Sequence, residues 1–455
     1  MESNIITNFM TRNRVTFRAI LVGFLILVLL IPTGFVNELV RERQGRKQEV
    51  QNEVSSKWSG EQTVTGPIIA IPYQERIVDA DDPKKTHMLK HMAFFLPDQL
   101  GIKATLYPQK RHRSIFEVTV YESRLDISGS FAPLNIDALH IPIADLQLNE
   151  ATVFFGLSDF RGIEEQVTMD WGGKPMTFNA GLPADAPIPS GLQASLPLTV
   201  AGLADTVSFR FSLKLRGSDR LFFTPVGKTT EVHMASAWPN PSFDGEFLPV
   251  TKEVSAKGFT ADWKVLHLNR NFPQSWKDRI APGSTHEEPA PDGTNAVLDA
   301  AFGTRLFVAA DDYSMTARSA KYAVLFILLT FTLYFFIELF QKKNVHLLQY
   351  VLVGLALCIF YLLLLSISEY LGYSKAYIIA TIATVGLVTL YTRSVFGTWR
   401  ISALFGGVLG LLYVFIFLLI QLEDGALLFG SIGLFAVLAL VMWYSRKVDW
   451  YGRGE

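Results

Sequence analysis

The chain has 455 residues and balances 41 Lys and Arg against 42 Asp and Glu, which gives no electrostatic footing for nucleic acid. Its one cysteine, Cys358, excludes an intrachain disulfide and a cysteine-based zinc centre. The mean hydropathy of +0.26 averages two unlike parts: every proline except Pro32 lies between Pro67 and Pro291, and the long apolar runs lie outside that interval.

In chain order, Arg12, Arg14 and Arg18 lead into an apolar run over 19–36. It is longer than the core of a signal peptide and no small-x-small site follows, so a retained transmembrane anchor is expected after a cytoplasmic segment 1–18. Residues 38–57 are charged and free of Gly and Pro after Gly45, and predict a short amphipathic helix leaving the membrane. From Val64 the texture changes. Phe116, Val118 and Val120 alternate with polar neighbours, as do Leu125, Ile127 and Phe131, and this period of two marks strands with one buried face. Strands are likewise expected over 67–73, 146–157, 207–215 and 261–268. With prolines throughout, residues 41–318 predict an all-β, sandwich-like domain of antiparallel sheets. The Pro- and Gly-rich stretch 181–191 either divides it into two subdomains or forms one long loop, and 281–293 reads as an exposed loop.

The run 322–340 lies between Arg318 and Lys321 on one side and Lys342 and Lys343 on the other, and Glu338 is its only ionisable residue. At 1.5 Å per residue it crosses the roughly 30 Å hydrocarbon layer. Four further spans follow at 347–367, 376–391, 401–420 and 426–444, before a tail at 445–455. The fold class expected is therefore a membrane α-helical bundle, one N-terminal and five C-terminal helices, with a large extracytoplasmic β domain between them. Lys342, Lys343, Arg393, Arg400, Arg446, Lys447 and Arg453 mark alternate ends, whereas the intervening loops carry Glu369 with Lys375, and Glu423 with Asp424. Cationic loops stay in the cytoplasm, so both termini are expected there and 41–318 on the far side. Arg41, Arg43, Arg46 and Lys47 oppose this locally, but their loop is far longer than the range over which the rule operates.

Few motifs carry chemistry. His87 and His91 lack the glutamate of a zinc helix and read as a solvated loop; Asp79, Asp81 and Asp82 lack the glycine and closing glutamate of a calcium loop and read as a turn. No nucleophile elbow and no phosphate-binding glycine loop occurs, so no catalytic residue, metal or cofactor is expected. Thr330, Tyr334 and Glu338 share one helix face. That polar face suits helix packing better than ion conduction, because Glu338 lies near enough to the cytoplasmic end to reach headgroup water. Glu369 reads as interfacial for the same reason. Tyr350, Gly354 and Cys358 on one helix, and Gly406 and Gly410 on another, are candidate close-packing faces. In the β region, Pro239 and Pro241 hold the backbone extended between Trp238 and Phe243, and Asp244-Gly245 supplies a turn. Trp238 and Phe243 are expected to close one end of the β core, the alternative being a rigid aromatic edge that docks a partner.

The residues that carry a family resemblance run through nearly the whole chain: Gly66-Pro67 with Ile71-Pro72-Tyr73, the Trp238 to Phe243 segment with Gly245 and Pro249, Tyr313 with Arg318 and Tyr322, Gln349-Tyr350, Phe360-Tyr361 with Ser368-Glu369, and Met442 with Arg446 and Trp450. On these the chain resembles the CreD family of bacterial inner-membrane proteins. The resemblance implies one N-terminal span, a large periplasmic domain and a C-terminal helical block. It also implies a role in cell envelope integrity under stress, alongside a two-component system, with links to colicin tolerance and the β-lactam response.

The function expected is support of the envelope by a non-enzymatic inner-membrane protein. Its partners would be the lipid bilayer and an envelope protein or cell-wall component. A transporter of a lipid or small molecule is the chief alternative, against which stands the absence of proline and of mid-span ionisable residues in the last five spans. A periplasmic hydrolase without a recognisable motif is the second.

Overall fold

The computed structural model describes residues 14–78, 86–277, 296–306, 312–341, 343, 345–422 and 425–446. The loop 281–293 and the acidic turn at Asp79, Asp81 and Asp82 lie outside them. The chain divides into two compact units, Met1–Gln48 with Ala310–Glu455, and Glu49–Ala309. Helix α1 (Arg14–Trp58) runs unbroken through Pro32 and contributes to both, so the charged stretch after the first apolar run is helical and continuous with it.

In the second unit the strands are β1 (Gln62–Val78), β2 (Thr86–Phe95), β3 (Gln99–Arg113), β4 (Phe116–Phe131), β5 (Thr152–Leu157) and β6 (Thr168–Trp171). There follow β7 (Lys174–Thr177), β8 (Asn179–Ala180), β9 (Gly191–Ser195), β10 (Val207–Ser218), β11 (Arg220–Phe223) and β12 (Thr229–Ser236). The last are β13 (Pro241–Gly245), β14 (Thr251–Ser255), β15 (Gly258–Leu266), β16 (Ser275–Lys277) and β17 (Phe302–Leu306). One sheet has the order β13-β17-β11-β1-β5-β9-β8, with β2 added beside β1 and β16 beside β2; the other has β14-β15-β12-β3-β4-β10-β6-β7.

Alternation builds these strands. In β10, Phe209, Phe211, Leu213 and Leu215 are buried while Arg210, Ser212 and Lys214 are exposed, and β15 repeats this with Phe259, Ala261, Trp263 and Val265. Inward residues of both sheets form one continuous apolar core. The sheets are mixed, however, not purely antiparallel: β1 pairs with β11, and β3 with β12, in parallel. A period of two is the same in either sense, so alternation could not distinguish them. The stretch expected as one strand over 146–157 is extended only from Thr152, after short 3₁₀ turns at Ile143–Asp145 and Leu148–Glu150. The stretch expected over 261–268 ends at Leu266 and passes into a turn.

Two further features follow from single residues. Pro67 has no N–H to give, and β1 shifts register between Thr65 and Ile68, where Gly66 adopts a φ of +118° beneath the Phe154 carbonyl. Residues 181–191 connect β8 to β9 within one sheet, and Ala186 and Ile188 are buried in the common core. The stretch is thus a loop of one domain and not a boundary between two.

Among the described residues, six helices are long and apolar enough to cross a membrane. After α1 come α2 (Asp312–Lys321), α3 (Ala323–Gln341), α4 (Leu347–Leu371), α5 (Tyr373–Phe396), α6 (Trp399–Gln421) and α7 (Ala426–Ser445). Helix α2 is too short to span. Aromatic rings fill the interior between α3, α4, α5 and α6, with Phe326 and Phe360 centred 4.3 and 4.7 Å from Tyr413, and Tyr377 5.0 Å from Phe417. Gly354 lets Leu29 and Phe331 close in, and Cys358 Sγ stands 3.8 Å from the Leu29 carbonyl, so this small-residue face receives α1. Gly406 likewise receives Thr389. Gly410 has nothing within 4 Å and is no part of such a face. None of the residues of α7 is buried.

Candidate functional site

In the helical unit, Thr330, Tyr334 and Glu338 stack on the inward face of α3, and all three are buried. Tyr334 meets Tyr350, Phe396 and Phe405 edge-on at 5.1, 5.3 and 5.5 Å. Glu338 is 3% exposed and does not reach out to headgroup water as its position near the helix end suggested. Its carboxylate pairs with the Arg18 guanidinium of α1 and accepts hydrogen bonds from the Tyr350 hydroxyl at 2.7 Å and the Val345 N–H at 3.2 Å. Low dielectric makes an unpaired charge there costly, and these donors from three segments neutralise and fix it.

A matching arrangement involves the far part of α1. Glu369, at the end of α4, lies 3.7 Å from the Arg43 Nε and accepts from the Tyr313 hydroxyl of α2 at 3.1 Å. Arg18 and Arg43 are 25 residues apart on one helix, about 37 Å of rise, so the two ion pairs bracket a layer slightly thicker than the hydrocarbon core. An α1 displaced by one turn would break both. Asp312 accepts from the Tyr373 N–H at 2.8 Å and Ser319 bonds the Tyr373 hydroxyl at 2.7 Å, which ties α2 to the start of α5. The chemistry of these clusters is electrostatic anchoring. Among the described residues no group of His, Cys, Asp and Glu is arranged to hold a metal.

In the β unit, Trp238 is 7% exposed and its Nε1–H donates to the Asn240 carbonyl at 3.1 Å, so the extended segment folds back under its own indole. Pro241 opens β13, the edge strand of its sheet, in agreement with two missing amide donors. Phe243 is half-buried, edge-on to Phe259 and Trp263 at 5.6 and 5.7 Å, with Lys252 Nζ 5.6 Å from its ring centre. Gly245 takes a φ of +101° where a Cβ would collide with the Ala301 carbonyl. Trp238 thus belongs to the apolar core and Phe243 packs against it from the edge strand. His87 and His91 lie on β2 and not in a loop; His91 stacks on Tyr73 at 5.5 Å and sits 3.5 Å from Glu75.

One cluster has no sequence motif. Trp58, at the end of α1, has the guanidinium groups of Arg111 and Arg216 each 4.5 Å from its ring, and Arg113 pairs with Glu53, five residues earlier, at 2.9 Å. Arg111 and Arg113 stand opposite Val118 and Phe116, so these cationic side chains share the face on which the even-numbered start of β4 is buried. The burial phase of β4 then switches: Val118, Thr119, Val120 and Tyr121 are all buried, and from there the odd-numbered residues face the core. Beside Trp58, Asp159 accepts from the Gly60 N–H at 2.8 Å and from Arg161 through its N–H at 3.0 Å and Nη2 at 2.7 Å, and Arg161 also donates to the Ser56 carbonyl. Burial works to raise Asp159, but the donors from Arg161 and Gly60 outweigh it and hold the carboxyl at about 2. Gln62, fully buried, bonds Ser59, the Asp159 carbonyl and the Arg216 carbonyl at 2.9, 2.8 and 3.1 Å. These contacts hold the end of α1, from Glu49 on, within the β unit. Apart from the local Ser59–Gln62 and Asp159–Arg161 bonds, they join residues 53 to 158 positions apart, which no local pattern could reveal.

The comparisons with known proteins agree with this architecture. Residues 14–451 match the family model described as Inner membrane protein CreD. The chain is 32% identical over 429 residues to the Inner membrane protein CreD of Escherichia coli strain K12, covering 94% of this chain and 91% of that protein. Six spanning helices, a β unit inserted after the first, and a match along nearly the whole length together establish that this chain belongs to the CreD family of inner membrane proteins.

Proposed function

We propose that this protein supports the integrity of the cell envelope under stress, with its β unit in the periplasm in contact with an envelope component and both termini in the cytoplasm. The observation that carries the orientation is the alternation of charge along the last five spans. Lys343, Arg393, Arg400 and Arg446 fall at one set of helix ends, and Glu369 with Lys375 at the other. The β unit precedes α2 and α3, and Lys343 follows α3, so the rule that keeps Lys343 inside puts residues 49–309 outside. The role is non-catalytic in this reading, which rests on binding and anchoring alone. A transporter gains no support from the buried acid of α3, because Glu338 is neutralised by Arg18 and Tyr350 near one end of its helix, not left available at mid-span.

The test is complementation. A strain lacking this gene should show increased sensitivity to a β-lactam and to detergent, reversed by the intact chain. A deletion strain indistinguishable from its parent under both stresses would refute the envelope role.

A further inference from the structure

The outward face of the eight-stranded sheet carries a cavity of about 750 Å³. Its floor is Gly101 and Ser128, paired across β3 and β4, where an absent and a short side chain leave a hollow between longer neighbours. The acids around this hollow are already engaged. Glu231 pairs with Lys264 at 2.8 Å, and Asp262 accepts from Thr251 at 2.8 Å and bonds His233 at 2.7 Å. Asp126 accepts from Ser212 at 2.6 Å and lies 3.4 Å from Arg124.

Two cations are left over. Lys103 stands directly across from His233 on one side and Asp126 on the other, and Arg210 directly across from Ser128 on one side and Asp170 on the other, yet neither closes an ion pair or a side-chain hydrogen bond among the described residues. Two strands and two residues of offset separate them, about 12 Å between their Cα atoms. Trp263 and Phe211 point into the core beneath, so neither ring is presented to a neutral sugar, and the His233 imidazole at the rim is held by Asp262.

We infer that this groove holds a carboxylated glycan–peptide strand of the cell wall, an inference that rests on the periplasmic placement proposed above. Carboxylates of such a strand would pair with Lys103 and Arg210, and its hydroxyls and amides with Ser128, Ser212 and Thr251. A strand fits better than an anionic bilayer. Glu231, Asp262 and Asp126 are interspersed among the cations and would repel a continuous negative surface, whereas a polymer bearing both carboxylates and amines can match the alternation. Attraction by charge and hydrogen bonds without stacking also requires that affinity fall as salt rises.

Calorimetric titration of the detergent-solubilised full chain with purified, peptide-bearing muropeptide fragments tests this. Saturable binding is expected, weakened at high salt and reduced at least about tenfold by Lys103→Glu combined with Arg210→Glu, while Lys277→Glu on β16 of the other sheet leaves it unchanged. Both replaced side chains are exposed, and an unaltered melting curve of the variant shows that the fold is kept. Failure of the wild type to bind, equal binding by the double variant, or binding to anionic phospholipid vesicles in place of the fragments would overturn the inference. If the double variant still complements the deletion strain and no fragment binds, the groove is wrong while the envelope role stands; if the wild type itself fails to complement, the role is wrong.

Discussion

At the scale of residues, buried charge does more to define this molecule than any recognisable motif. Glu338 was legible as the one ionisable residue of an apolar run, but its partner Arg18 lies 320 positions away and could not be read from local spacing. Breaking a buried pair from one side leaves the other charge unpaired, so Glu338→Ala and Arg18→Ala should each cost about 3–5 kcal/mol, with the double variant costing clearly less than their sum. Thermal unfolding of the purified protein in detergent measures this; simple additivity would mean that the pair is not coupled. Asp159 responds to acid instead. Its carboxyl is held at about 2 in the fold against 3.8 as the ordinary value, so the stabilisation is fully present above pH 4 and drains away as pH falls from about 4 to 2. With the side chain 13% exposed, the amount is on the order of 2 kcal/mol. Asp159→Asn should lower the melting temperature at neutral pH and flatten its decline between pH 4 and 2, and an unchanged acid profile would show that Asp159 does not contribute.

At the scale of elements, the spans and strands were legible wherever one periodic signal ran uninterrupted. Five of the six spanning helices begin and end within a few residues of the hydropathy limits, and β10 and β15 follow their alternation. The failures have separate physical causes. Helix α1 continues past its apolar run because 38–57 holds good helix formers and no proline, so nothing in the backbone requires a stop at the membrane surface. Residues 146–150 turn instead of extending because a buried Leu148 can reach the core from a 3₁₀ turn as well as from a strand. The Trp238 to Phe243 segment was legible in its geometry, since two prolines dictate an extended edge, and the buried indole favours closure of the core over docking. Trp238→Ala should therefore cost about 3–5 kcal/mol of β-unit stability, read by urea unfolding. A variant of normal stability that lost envelope protection would return the segment to a docking role.

At the scale of the whole molecule, the first helix is held at two heights within the helical unit by Arg18–Glu338 and Arg43–Glu369, and its last turns, from Glu49, belong to the β unit, where Trp58, Arg161 and Gln62 hold them. Composition and charge patterning disclosed the order of these parts, while the contacts within each of them depend on three-dimensional proximity and had no signature in the chain. The claim on which the proposed role depends most is that the β unit lies outside the cytoplasm. Cys358 is 4% exposed and can be replaced by Ala, leaving a background in which Lys174→Cys on the β unit and Ser394→Cys at the end of α5 are each the only thiol. Intact cells with a permeabilised outer membrane are treated with a membrane-impermeant maleimide. The account predicts labelling of Lys174→Cys without lysis and of Ser394→Cys only after lysis; the reverse pattern would contradict it.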